Sequence, residues 1–144
     1  MVKKLLTIGI LLTILLSLIS GCANTPNLTY SEVTTEKLNK RVAKFITDHE
    51  LSNGIYIFYN NEKEIYLFLN NKNVKQGDKA GFYKDVVVED KGDTIAISFN
   101  EYYTNDYSNV ERNRLVYRIK VNKDFEYLKV YKNGKETYID VVGS

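Results

Sequence analysis

The chain has 144 residues with 20 Lys+Arg, 18 Asp+Glu, one His and one Cys. A lone cysteine excludes an intrachain disulfide, and one histidine beside it falls short of the several His or Cys ligands that a zinc site needs. Lys3 and Lys4 are the only charges among residues 1–21, so residues 22–144 carry 18 basic against 18 acidic side chains, and no basic surplus draws them to nucleic acid.

Residues 1–22 are unlike the rest. Met1-Val2-Lys3-Lys4 is a short basic start, Leu5 to Ile19 is uncharged and mostly Leu and Ile, and Ser20-Gly21-Cys22 ends the run with small residues. That is the order of a secretory signal: basic region, apolar core, small-residue cleavage site. Ile19-Ser20-Gly21-Cys22 resembles the lipobox of bacterial lipoproteins. The resemblance covers only these first 22 residues. It implies a diacylglyceryl thioether on Cys22, cleavage after Gly21, and a fatty-acylated (palmitate-type) anchor on the extracytoplasmic face of the cell membrane. An uncleaved spanning helix is one competing reading, but the 17 uncharged residues from Leu5 to Gly21 sit at the bottom of the spanning range. The other is an ordinary signal peptide that happens to end at a cysteine.

Residues 22–34 hold the only proline, Pro26, among Asn, Thr and Ser, and read as a lipidated Cys followed by a polar tether. A helix is expected over residues 35–50. Leu38, Val42, Phe45 and Ile46 form one apolar stripe, Thr34 or Thr35 can cap the start, and Asn53-Gly54 stops it. The face opposite, with Lys37, Lys40, Arg41, Lys44 and Asp48, is that of a solvated helix.

From Gly54 the period changes to two. Ile55 to Tyr59 and Glu64 to Leu69 are apolar on both faces and read as a buried hairpin. Phe82 to Glu89 and Asp93 to Asn100 form a second, turning at Asp90-Lys91-Gly92. Arg114 to Asn122 alternates again. Tyr127 to Lys132 meets Glu136 to Val141 across Asn133-Gly134, the strongest short hairpin signal. The expected fold over 35–144 is therefore one α+β domain, an N-terminal helix packed on a curved antiparallel sheet of about seven strands. A cystatin-like arrangement is one form of it, and a small β-barrel or sandwich is the alternative.

No catalytic constellation stands out and no cofactor motif is present. His49 is placed in the last helical turn, where it interacts with the carbonyl end. Asp85, Glu89, Asp90 and Asp93 gather about one turn without the spacing of a calcium loop. Glu101 and Asp106 are the nearest thing to a glycosidase-like carboxylate pair. Tyr102, Tyr103 and Tyr107 fall in the long polar stretch Asn100 to Asn113, where an apolar ring with a polar tip suits contact with a ligand.

These residues point to a non-enzymatic, membrane-anchored binding module for a protein or a cell-wall glycan partner. A carboxylate-dependent envelope hydrolase, or an inhibitor or chaperone-like factor presenting an edge strand, is the alternative. The address is directly testable. Mass spectrometry should find Cys22 carrying a diacylglyceryl group, and Cys22→Ser should release the protein from the membrane. An unmodified Cys22 on freely secreted protein overturns it.

Overall fold

In the computed structural model, residues 26–107 and 110–144 are described; Cys22 and the expected signal segment, residues 1–21, lie outside them. The elements run β1 (Leu28–Glu32), a 3-10 turn (Thr35–Lys37), α1 (Lys40–His49), β2 (Gly54–Asn61), β3 (Glu64–Asn70), β4 (Ala80–Lys91), β5 (Thr94–Thr104), β6 (Arg114–Val121), β7 (Tyr127–Lys132), β8 (Lys135–Thr137) and β9 (Val141–Gly143). Leu28–Glu32, expected as tether, pairs antiparallel with β6.

The single curved antiparallel sheet of about seven strands is not what forms. The strands divide into a five-stranded sheet, β1-β6-β3-β2-β9, and a four-stranded sheet, β4-β5-β7-β8. Both are mixed, because β2 pairs parallel with β9 and β5 pairs parallel with β7. The sandwich alternative fits. Alternation along each strand tells which side chains share a face but not which strand lies alongside, so the split was invisible in the sequence. The last expected strand also breaks in two. β8 closes the Asn133-Gly134 hairpin in the four-stranded sheet, and β9 crosses to the other sheet. At that crossing Asp140 N–H donates to Ile55 O at 2.8 Å, and Ile55 N–H donates to Asp140 Oδ2 at 2.7 Å.

Two buried clusters explain why β2 and β3 are apolar on both sides. Between the sheets lie Ile55, Ile57, Ile65, Leu67, Leu69, Leu115 and Ile119 from one and Tyr83, Ile97, Phe99 and Val130 from the other. On the far side of the five-stranded sheet, Tyr56, Phe58, Tyr66, Phe68 and Val116 meet Val42, Phe45 and Ile46 of α1. The result is three layers: helix, sheet, sheet. Full burial of each such Leu, Ile or Phe contributes about 1.5–3 kcal/mol.

The helix is shorter than the expected 35–50. Its N-cap is Asn39, whose side chain accepts from Val42 N–H at 3.0 Å, while Thr34 makes no side-chain cap to the 3-10 turn. Asn39 Nδ2 also donates to Asn60 Oδ1 at 3.1 Å, so tertiary contact chose among three residues able to cap. His49 sits in the last turn. Its Nδ1–H donates to Phe45 O at 2.7 Å, and its ring packs on Phe45 and Tyr56. Among the described residues no helix is long and apolar enough to cross a membrane.

Ile46 is 2% exposed, on the helix face that covers the five-stranded sheet. Ile46→Ala should destabilise the protein by about 2–5 kcal/mol, read by urea or thermal unfolding. A change within about 0.5 kcal/mol is the result expected of a surface position and would mean that α1 does not pack as described.

Candidate functional site

The inner face of each sheet begins as core and ends as a polar cleft. On β5 the inward residues are Ile95, Ile97 and Phe99, then Glu101 and Tyr103. On β7, Val130 is followed by Lys132; on β3, Leu69 is followed by Asn71; before β2, Ile55 is preceded by Asn53. All four changes occur at the same end of the sandwich. They open a cavity of about 240 Å³ lined also by Tyr83, Thr137, Tyr138 and Asp140. Asn53, Asn71 and Tyr103 also border an adjoining hollow of about 330 Å³ that reaches Asn73, Asp78, Lys79 and Gly81. Each is near the lower end of small-ligand sites, and polar groups converging on a concavity is the usual mark of one.

Glu101 is the centre. Its side chain is 8% exposed, and Lys132 Nζ approaches Oε2 at 2.9 Å while Asn71 Nδ2 donates to Oε1 at 2.6 Å. A carboxylate this enclosed needs such partners, since leaving it unpaired costs several kcal/mol. Asn71 is tied in turn, its N–H donating to Asn113 O at 2.7 Å. Gly81 makes room for it, because a Cβ there would collide with Asn71 Nδ2. Gly54 does the same for Asp140, whose Oδ2 would lie 2.8 Å from an added Cβ. Asn53 and Asn73 clasp each other's loops, with Asn73 N–H donating to Asn53 Oδ1 at 2.9 Å and Asn53 Nδ2 to Asn73 O at 2.6 Å. Asn70, fully buried, donates to the carbonyls of Glu50 and Ser52 and so fixes the loop that delivers Asn53.

The electrostatics reflect this packing. Burial, then the nearby Glu101 charge, pushes the Tyr83 hydroxyl far above the ordinary tyrosine range. Tyr103 moves in the same direction for the same two causes in the same order. For Lys132, burial disfavours the charge, but the hydrogen bond and charge of Glu101 outweigh it and raise its pKa.

Tyr102, Tyr103 and Tyr107 do not form one patch. β5 runs to Thr104, so Tyr102 and Tyr103 belong to a strand rather than a loop and point to opposite faces. Tyr102 opposes Phe82 on the outer face, their rings stacked at 5.6 Å. Tyr103 opposes Gly81 and, 56% exposed, stands over the cleft. Tyr107 lies beyond the strand and donates its hydroxyl to Asp78 O, at the rim of the adjoining hollow.

Glu101 and Asp106 are separated as well. Glu101 faces the cleft, whereas Asp106 borders a different hollow with Phe82, Lys84 and Arg112. The carboxylate that shares the cleft with Glu101 is Asp140. The acids around the β4–β5 turn disperse onto separate partners: Asp90 meets Lys123 and Asn27, Glu89 meets Lys91, and Asp93 meets Thr94. Among the described residues no three of His, Cys, Asp and Glu gather as a metal ligand set. β4, at the edge of its sheet, is bulged between Lys84 and Val87 with Asp85 at φ 54°, and Tyr83 N–H is already bonded to Arg112 O. Those features interrupt the long bare edge that strand addition requires.

Sequence reasoning missed Asn53, Asn71, Lys132, Tyr138 and Asp140. A signal existed for three of them: the inward stripe continues one step past its last apolar residue into a polar one. Asp140 and Tyr138 gave none, because they sit where the chain leaves one sheet for the other.

A hydroxyl whose pKa is higher folded than unfolded contributes stability that is intact below the unfolded value, about 10 for tyrosine, and lost as pH rises above it. The thermal midpoint should therefore fall at alkaline pH, and Tyr83→Phe should shrink that fall. Midpoints taken from about pH 8 to 11.5 check it, and parallel profiles for variant and parent count against Tyr83 as a source. No protein family, curated protein or solved structure matches the chain.

Proposed function

We propose that this chain is a lipid-anchored, extracytoplasmic binding module whose end cleft takes a neutral, hydroxyl-rich ligand, a glycan of the cell-wall type. The observation that carries the reading is the pairing of exposed tyrosine rings with pre-set polar groups in one cleft. Tyr103 is 56% exposed and Tyr138 77% exposed, and both line the cavity beside Asn53, Asn71 and the Glu101–Lys132 pair. A sugar presents an apolar C–H face and a ring of hydroxyls. Tyrosine covers the first, and amide, carboxylate and ammonium groups bond the second.

Charge balance favours a neutral ligand. The acids Asp78, Glu101 and Asp140 stand against Lys79 and Lys132 across the two hollows, so a phosphate would meet more repulsion than attraction. The polar groups are also held in place by the fold rather than by the ligand, which lowers the ordering cost of binding.

Hydrolysis is the second reading, and the convergence of Glu101 and Asp140 on one cleft is its only support. Both oxygens of Glu101 accept from protein donors, and Asp140 accepts from a backbone N–H. Those are the roles of anions that hold a structure together rather than of a group that gives up a proton to a leaving oxygen.

Binding of the lipidated protein to purified cell-wall glycan tests the choice. Tyr103→Ala and Tyr138→Ala should each weaken binding about tenfold, the effect of about 1.4 kcal/mol, with the thermal midpoint held. Tyr102→Ala, on the opposite face, should leave binding unchanged. Equal binding by all three removes the cleft as the site. Release of new reducing ends that disappears in Asp140→Asn would mark a hydrolase instead.

A further inference from the structure

The cleft and the chain's exit toward Cys22 lie at opposite ends of the sandwich. At the exit, Asn122 Nδ2 donates to Pro26 O at 2.8 Å, Asn122 N–H to Asn27 O at 2.8 Å, and Asn27 Nδ2 to Asp90 Oδ2 at 3.1 Å. These three bonds clamp Pro26-Asn27 to the end of β6 and to the β4–β5 turn. Asp90 is level with Ile95, and Gly81 with Tyr103. Eight residue steps of β5 separate those levels, an advance of about 26 Å at about 3.3 Å per residue.

From this geometry we infer that the cleft is held open away from the bilayer and cannot be turned onto it, so its ligand is a glycan outside the membrane rather than a lipid headgroup. The inference rests on the anchored-module reading through the lipid at Cys22. Only four residue steps join Cys22 to the clamped Pro26, and fully extended they span about 14 Å. With the cleft facing the lipid, the exit would stand about 26 Å above the cleft level, beyond that reach. A longer or unclamped connection would remove the restriction. Here β1 begins two residues after Pro26 and is already paired with β6, so no slack is added from within the fold.

This orientation selects among glycans as well. A short headgroup sugar on a membrane lipid would have to stretch the height of the domain to enter, whereas a polymer strand lying above the membrane meets the cleft directly. Tyr103 and Tyr138 then face the polymer, and the β4–β5 turn faces the bilayer.

Because Cys22 is the only cysteine and carries the lipid in this reading, an introduced cysteine is the single free thiol for a fluorophore. Asp124→Cys, after β6, and Asn105→Cys, exposed just past β5, report the two ends. The lipidated protein is placed in vesicles of phosphatidylcholine and phosphatidylglycerol bearing headgroup nitroxides. Quenching should be severalfold stronger for the label at 124 than at 105. Equal quenching, or stronger quenching at 105, overturns the orientation. Flotation of the vesicles reads the anchor separately: protein that does not float defeats the anchored reading and the orientation with it, while protein that floats with equal quenching defeats the orientation alone. Inserting a Gly/Ser stretch of about 25 residues before Pro26, with a typical reach of about 25–30 Å, should erase the difference. A difference that survives it shows that the short connection is not what sets the orientation.

Discussion

β2 and β3 carry apolar side chains on both faces, and neither face can be left to water. That constraint orders the rest of the molecule. One face is closed by the four-stranded sheet through Ile97, Phe99 and Val130, and the other by Val42, Phe45 and Ile46 of α1. A single sheet with one helix would have left half of this surface uncovered, and contiguous apolar area of that size is seldom exposed on a lone domain. β7 and β9 each return to a sheet after the chain has passed through the other one, and they lie parallel to β5 and β2.

Where two sheets splay at the end of a sandwich, the inward stripe runs out of partners. Most such ends become solvated turns. Here the inward positions that follow the core are instead Asn71, Glu101 and Lys132, with the enclosed Glu101 carboxylate bonded to both of the others. A network of this kind is stable only when each member is satisfied, and then it is rigid. Rigidity gives the cleft a defined set of donors and acceptors, with Tyr83 beneath them as a buried floor. Gly54 and Gly81 belong to this construction by what they leave out, since a side chain at either would occupy the space of Asp140 or Asn71.

The proposed anchor at Cys22 and the cleft are related only through the length of the fold. Strands that carry the chain from one end of the sandwich to the other also separate the clamped Pro26 from Tyr103. Under the proposed anchoring, a cleft at that far pole faces what lies above the membrane and not the membrane itself.

Much of the local structure was legible in the residues themselves. The helix stripe of Val42, Phe45 and Ile46, the Asn133-Gly134 turn and the two-sided apolar character of β2 and β3 all reflect short-range spacing, and spacing survives in a linear string. What the string does not carry is adjacency. It placed Tyr102 and Tyr103 together in a loop, whereas pairing with Phe82 and Gly81 puts them in a strand and on opposite faces. It linked Glu101 with Asp106 because they are close in sequence, while the folded chain brings Glu101 to Asn71, Lys132 and Asp140 instead. Periodicity is a property of neighbours along the backbone and was readable from the start. Sheet membership, the cleft and its distance from the clamped Pro26 depend on contacts between distant segments, and only the closing of three layers around a common core decides those.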